Sequence, residues 1–120
     1  MNNKPKYSIF KNAKYAIDGL FHAFKYETSF KLEIFFSIIL SFVIFLFDFT
    51  FEERLILFVT LILVMIVELL NSAVENVVDM VTKEFHPLAK SSKDIGATAV
   101  LFALLLHLGI WIAILVKHYY

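Results

Sequence analysis

The chain has 120 residues, 60% of them hydrophobic and 18% charged, with a mean hydropathy of +0.78; that is too apolar for a soluble domain of this length. Eleven basic and eleven acidic side chains cancel, which removes any global pull toward nucleic acid. The absence of cysteine excludes disulfides, zinc-thiolate sites and cysteine nucleophiles. Fourteen Phe against three Gly and two Pro favour long helices over a turn-rich β protein, so the expected class is an all-α membrane protein.

Residues 1–30 read as an amphipathic surface helix. Phe10, Ala13, Ile17, Leu20, Phe21 and Phe24 recur at helical spacing on one face, and Lys11, Lys14, Asp18, His22 and Lys25 share the adjoining face. Such a helix is suited to lie in the membrane interface. No apolar run opens the segment, so no cleavable signal peptide is expected.

Three spans follow, expected over 31–49, 52–81 and 95–117. The apolar run Ile34 to Phe47 is shorter than the roughly 20 residues a span needs, so its flanks must enter the interfacial zone. The second span runs from Leu55 through Val67 into ELLNSAVENVVD, and the third is apolar from Ile95 to Val116 apart from His107 and small residues. His107 is read as a packed or helix-bonded histidine, and Trp111, Tyr119 and Tyr120 as interfacial anchors. Up to Glu33 the chain carries six Lys against three acids. The first connector is acidic, and the second contains Lys83, Lys90 and Lys93. Positive-inside counting then puts the N-terminus and second connector in the cytoplasm.

The chemistry is concentrated on the second span. Glu68, Asn71, Ser72, Glu75 and Asp79 fall within about a 100° stripe of one helix. Carboxylates are costly at membrane depth, so a stripe of polar groups there marks a functional site; the competing reading is interhelical hydrogen bonding. Glu68, about one or two helical turns deeper than Glu75, is suited to act as a general base. Glu75 and a second carboxylate such as Glu27 are suited to Mg²⁺, which takes oxygen ligands together with substrate phosphates. Lys90 and Lys93 add cationic donors for phosphate. This arrangement fits phosphoryl transfer from a nucleotide to a lipid hydroxyl. No Walker A or kinase glycine-rich loop is present, which excludes the soluble kinase folds.

VELLNSAVENVVD (Val67 to Asp79), HPLAKSSKDIGATAVL (His86 to Leu101) and ETSFKLE (Glu27 to Glu33) together resemble the small integral-membrane diacylglycerol kinases of bacteria, whose relatives phosphorylate undecaprenol. The resemblance covers essentially the whole chain. It implies a homotrimer with shared active sites in the bacterial inner membrane, converting diacylglycerol to phosphatidate with ATP and Mg²⁺. By position it implies Glu68 as catalytic base and Glu27 and Glu75 as metal-associated carboxylates. Tyr15, Glu27, Glu75, Glu84, Phe85, His86, Lys93 and Asp94 would meet ATP. Ser29, Phe30, Lys31, Leu32 and Glu33 would meet the lipid along with Glu68, and Asn71 and Asp79 would support the site. Departures from the pattern fall at Ser8, Ile17, Phe85 and Ala97. HPLAK leans toward undecaprenol kinases, whereas VELLNSA and Gly96 lean toward diacylglycerol kinases. A membrane scaffold or ion-conducting oligomer is the non-enzymatic alternative.

Overall fold

The structure, a computed structural model, describes residues 8–120. The first seven residues of the expected surface segment lie outside the described ones. Four helices follow in order: α1 (Ile9–Tyr26), α2 (Thr28–Leu46), α3 (Phe51–Val81) and α4 (Pro87–Tyr119), with no strand among the described residues. The molecule measures 60 × 39 × 26 Å. Helices α2, α3 and α4 are each long and apolar enough to cross a membrane.

Local sequence sets each boundary. Ser8 caps α1, its hydroxyl accepting from Lys11 N at 3.4 Å. A single extended residue, Glu27, separates α1 from α2, so the chain changes direction there without a loop. At the other end of α2, the Arg54 guanidinium donates to the carbonyls of Phe47 (3.0 Å) and Ile44 (3.4 Å), satisfying acceptors that a helix C-terminus leaves open. Thr50 and Glu53 form a reciprocal capping box that starts α3. His86 caps α4, its Nδ1 accepting from Leu88 N at 3.1 Å, and Pro87 occupies the first turn, where its missing N–H costs no hydrogen bond.

Two boundaries differ from the expected spans. Helix α4 begins eight residues before Ile95, because the His86 cap and Pro87 start the helix ahead of the apolar run. Helix α2 stops at Leu46, three residues before Phe49, because the chain turns back to begin α3. Phe49 then folds inward, 5% exposed, instead of extending the helix.

Helix α3 is the centre of the fold. It pairs most extensively with α4, less with α2, and α1 rests against α2. Its buried residues Leu57, Thr60, Leu61, Val64, Glu68, Asn71 and Ser72 follow steps of three and four along one seam. The polar stripe is therefore a continuation of the packing seam and not a separate face. The apolar core lies near the α2–α3 turn, where Ile44, Phe49, Leu57 and Ile114 pack with Trp111 and Phe58 around them. Elsewhere large apolar side chains such as Phe42, Leu46, Phe102 and Leu105 remain outward and exposed. That is the surface of a chain whose solvent is lipid, with every spanning element helical so that backbone groups are paired within it.

Candidate functional site

Three openings beside the C-terminal half of α3 each take part of the polar stripe. The first is a pocket of about 390 Å³ between α2, α3 and α4. Ser29, Leu32, Glu33, Phe36, Ser37 and Leu40 line it from α2, one face at helical spacing; Leu61, Val64 and Glu68 line it from α3, and Leu104 and His107 from α4. Its polar groups Ser29, Glu33 and Glu68 stand at one end, and its walls are otherwise apolar but for Ser37 and His107. Glu68 is 8% exposed, a carboxylate set between helices at the head of an apolar slot. A carboxylate so placed can accept a proton from an alcohol held against it.

Of the segment expected to meet lipid, Ser29, Leu32 and Glu33 share this pocket with Glu68. Phe30 does not: it is fully buried on another face of α2, and Lys31 is exposed. Residues 30 and 31 are rotated by about 100° and 200° from Ser29, so five consecutive helical residues cannot all face one cavity.

A second opening, about 530 Å³, lies between α1 and α3, with Glu27, Ser72 and Asn76 among its lining. Asn76 Nδ2 donates to Glu27 Oε1 at 3.1 Å, tying the α1–α2 junction to α3. Near it on α3, Asn71 Nδ2 donates to Glu75 Oε1 at 3.3 Å. Asn71 Oδ1 is buried without a hydrogen-bond partner. It points at the α4 backbone, where a Cβ added to Gly96 would collide with it. Glycine at position 96 thus lets α4 approach the amide that holds Glu75.

Glu27 and Glu75 are carboxylates of the donor type a hard cation takes, with one oxygen each engaged by an asparagine amide, although Glu75 does not line the opening that holds Glu27. No group of three His, Asp or Glu gathers into a metal site among the described residues. A magnesium site completed by substrate phosphates and water needs only one or two protein carboxylates.

The third opening, about 270 Å³, is formed by the connector. It brings together Asp79, Lys83, Glu84, Phe85, His86, Lys90 and Lys93. Lys93 Nζ donates to Asp79 Oδ1 at 2.6 Å, joining α4 to the end of the stripe, while Lys90 pairs with Asp94 at 2.6 Å along α4. Lys93 and Asp94, neighbours in sequence, therefore hold different partners. Asp94 itself does not line this opening, and neither does Tyr15, which lies exposed on α1.

The prokaryotic diacylglycerol kinase family profile matches residues 14–115. The chain belongs to that family. It is similar to a diacylglycerol kinase of Pseudomonas aeruginosa, 40% identical over 101 residues that cover 84% of this chain and 82% of the relative. The Haemophilus influenzae diacylglycerol kinase is 40% identical over 107 residues, covering 89% and 91%. That of Escherichia coli K12 is 38% identical over 112 residues, covering 92% and 91%. Family membership and three apolar helices long enough to cross a membrane make the protein a membrane-embedded kinase.

Two contacts escaped the reading of the sequence. Asn76, which holds Glu27, lies one residue off the stripe and carries no signal of its own. Gly96 stands in a family motif, but its closeness to Asn71 depends on how α3 and α4 pack.

Proposed function

We propose that the protein phosphorylates diacylglycerol to phosphatidate with ATP, in the bacterial inner membrane. The observation that carries this reading is the placement of Glu68: a buried carboxylate at the polar head of an otherwise apolar pocket, in a chain of this family. The lipid hydroxyl would sit beside Glu68 with its acyl portion in the slot. Its oxygen attacks the γ-phosphorus, the bond from that phosphorus to the bridging oxygen of ADP breaks, and the hydroxyl proton passes to Glu68. Holding the reactants in line and excluding water provide most of the rate, since phosphoryl transfer asks little covalent work of the protein.

Glu27 and Glu75 would hold Mg²⁺ with the ATP phosphates, and the bound ion would neutralise phosphate charge. Asn76 and Asn71 fix the two carboxylates. The connector opening, with three Lys and the Glu84, Phe85 and His86 stretch, is suited to the nucleotide, with Asp94 and Tyr15 approaching from α4 and α1. Asp79 supports it by orienting Lys93. A single subunit leaves these openings broad and the Glu75 and Asp79 end of the seam partly exposed, which favours a homotrimer with sites completed between subunits. The apolar residues of α1, including Phe10, Phe21 and Phe24, are exposed within one chain, which favours a helix lying in the interface, and the excess of Lys up to Glu33 favours a cytoplasmic N-terminus.

The test is phosphate transfer by the purified protein to a panel of lipid alcohols in mixed micelles. Faster turnover of diacylglycerol than of undecaprenol is expected. The opposite preference would move the substrate to the polyprenol class, and no ADP release with any lipid alcohol would remove the reading.

A further inference from the structure

Of the side chains lining the Glu68 pocket, His107 is the one for which neither the stripe nor the proposed reaction has a use. It is 7% exposed and lies about two helical turns from Glu68 along the slot, beside Leu61 and Leu104. Its hydrogen bonds define its state. Trp111 Nε1 lies 3.0 Å from His107 Nε2; an indole N–H only donates, so Nε2 must accept. The ring proton is then on Nδ1, which donates to Thr60 Oγ1 at 2.7 Å. The Thr60 hydroxyl in turn donates to the Ile56 carbonyl, 2.9 Å away.

The chain Trp111, His107, Thr60, Ile56 is complete in one direction, with a neutral imidazole in its middle. Both ring nitrogens are engaged inside the protein, so neither is left to offer the pocket a hydrogen bond. An imidazole free to turn or to bind water would make this end of the slot polar; fixed this way, it is a rigid apolar wall. The strongly polar groups of the slot stand at its Glu68 end, with Leu40, Leu61, Val64 and Leu104 below.

We propose that the far end of this pocket receives one acyl chain of the lipid substrate, and that His107, held by Thr60 and Trp111, is the floor that sets how deeply the chain enters. The occupant follows from the two ends of the slot. A lipid alcohol whose hydroxyl meets Glu68 must lay its apolar part along the walls leading to His107. The inference rests on the function proposed above, and it makes His107 a specificity residue for that reaction.

The experiment measures kcat/KM for diacylglycerols of graded acyl length, using the full-length wild-type protein, His107→Ala and His107→Phe in detergent micelles. Removing the floor should shift preference toward longer chains by about tenfold in the long-to-short ratio, and raising it should shift preference the other way, since one methylene in an apolar pocket is worth at least that much. Parallel length profiles in wild type and both variants would overturn the proposal, because a histidine serving only to join α3 and α4 would change stability without changing the profile. A second readout needs no turnover. Trp111 is the single tryptophan, so a diacylglycerol brominated along its acyl chain should quench its fluorescence more strongly than brominated phosphatidylcholine, and unbrominated diacylglycerol should reverse the effect. Equal quenching by both lipids would show that the pocket is not occupied and would sink the proposal. If the wild type phosphorylates no diacylglycerol, the functional reading fails on its own, and the quenching result still decides the occupant.

Discussion

At the Glu53 end of the α3–α4 pair, polar side chains are matched within the chain, whereas at the Glu68–Asp79 end one buried amide oxygen has no partner and several polar groups border open pockets. Glu53 takes the Thr50 N–H at 2.8 Å and faces His118 Nε2 at 2.9 Å from both carboxylate oxygens, and Arg54 closes the end of α2. Phe49 stacks on Phe47 and meets Trp111 and His118, sealing the core beneath. At the other end Asn71 has a buried oxygen without a partner, and Glu68, Glu27 and Lys93 border open pockets. Buried polar groups left partly unsatisfied cost free energy. Placing the Asn71 oxygen and the pocket-lining polar groups at one end, with the apolar core at the other, separates the part of the fold that holds the helices together from the part suited to chemistry.

This contrast is broken most sharply by Glu68→Gln. The variant should fold and bind nucleotide like the wild type but lose roughly 10²- to 10⁴-fold in turnover, the usual contribution of a positioned general base; wild-type turnover would remove Glu68 from that role. Next comes Glu75→Gln, for which the Mg²⁺ concentration needed for half-maximal activity should rise on the order of tenfold, as loss of one of few carboxylate ligands implies. An unchanged Mg²⁺ titration would place the metal elsewhere.

Gly96→Ala sharpens the comparison by disturbing the site through the backbone. The added Cβ must displace the Asn71 amide and release Glu75, with a cost on the order of 1–3 kcal/mol for overpacking and a fall in activity of about tenfold. Gly109→Ala, which meets nothing within 4 Å, should leave activity unchanged; equal effects of the two substitutions would deny any special role to the Gly96 contact. The smallest effect belongs to the opposite end. Thr50→Ala removes one cap of α3 and should lower stability by about 1 kcal/mol, measured by denaturant titration in detergent, while turnover by the folded protein stays as it was. A large loss of turnover in that variant would show that the two ends are not energetically separate.

Much of the helical layout is readable because apolar runs and caps act locally. The polar stripe is readable for the same reason: Glu68, Asn71, Ser72, Glu75 and Asp79 are carried by one helix whose period places them together. Relations between helices are not readable in this way. Lys93 finds Asp79 across the α3–α4 connection, and Asn76 finds Glu27 across 49 positions of sequence. Phe30, adjacent to one pocket residue and two positions from another, turns away from both.

Side-chain order is enough to make this a helical membrane chain with a carboxylate-bearing seam, since hydrophobicity and helical period depend on nothing else. Its motifs are also sufficient to indicate the family. The sharing of the seam among three openings, the contact of Gly96 with Asn71 and the binding of His107 to Thr60 and Trp111 beside the Glu68 pocket come from the folded chain alone. Those features depend on the relative rotation and approach of whole helices, and that geometry is set by the packing of the entire bundle.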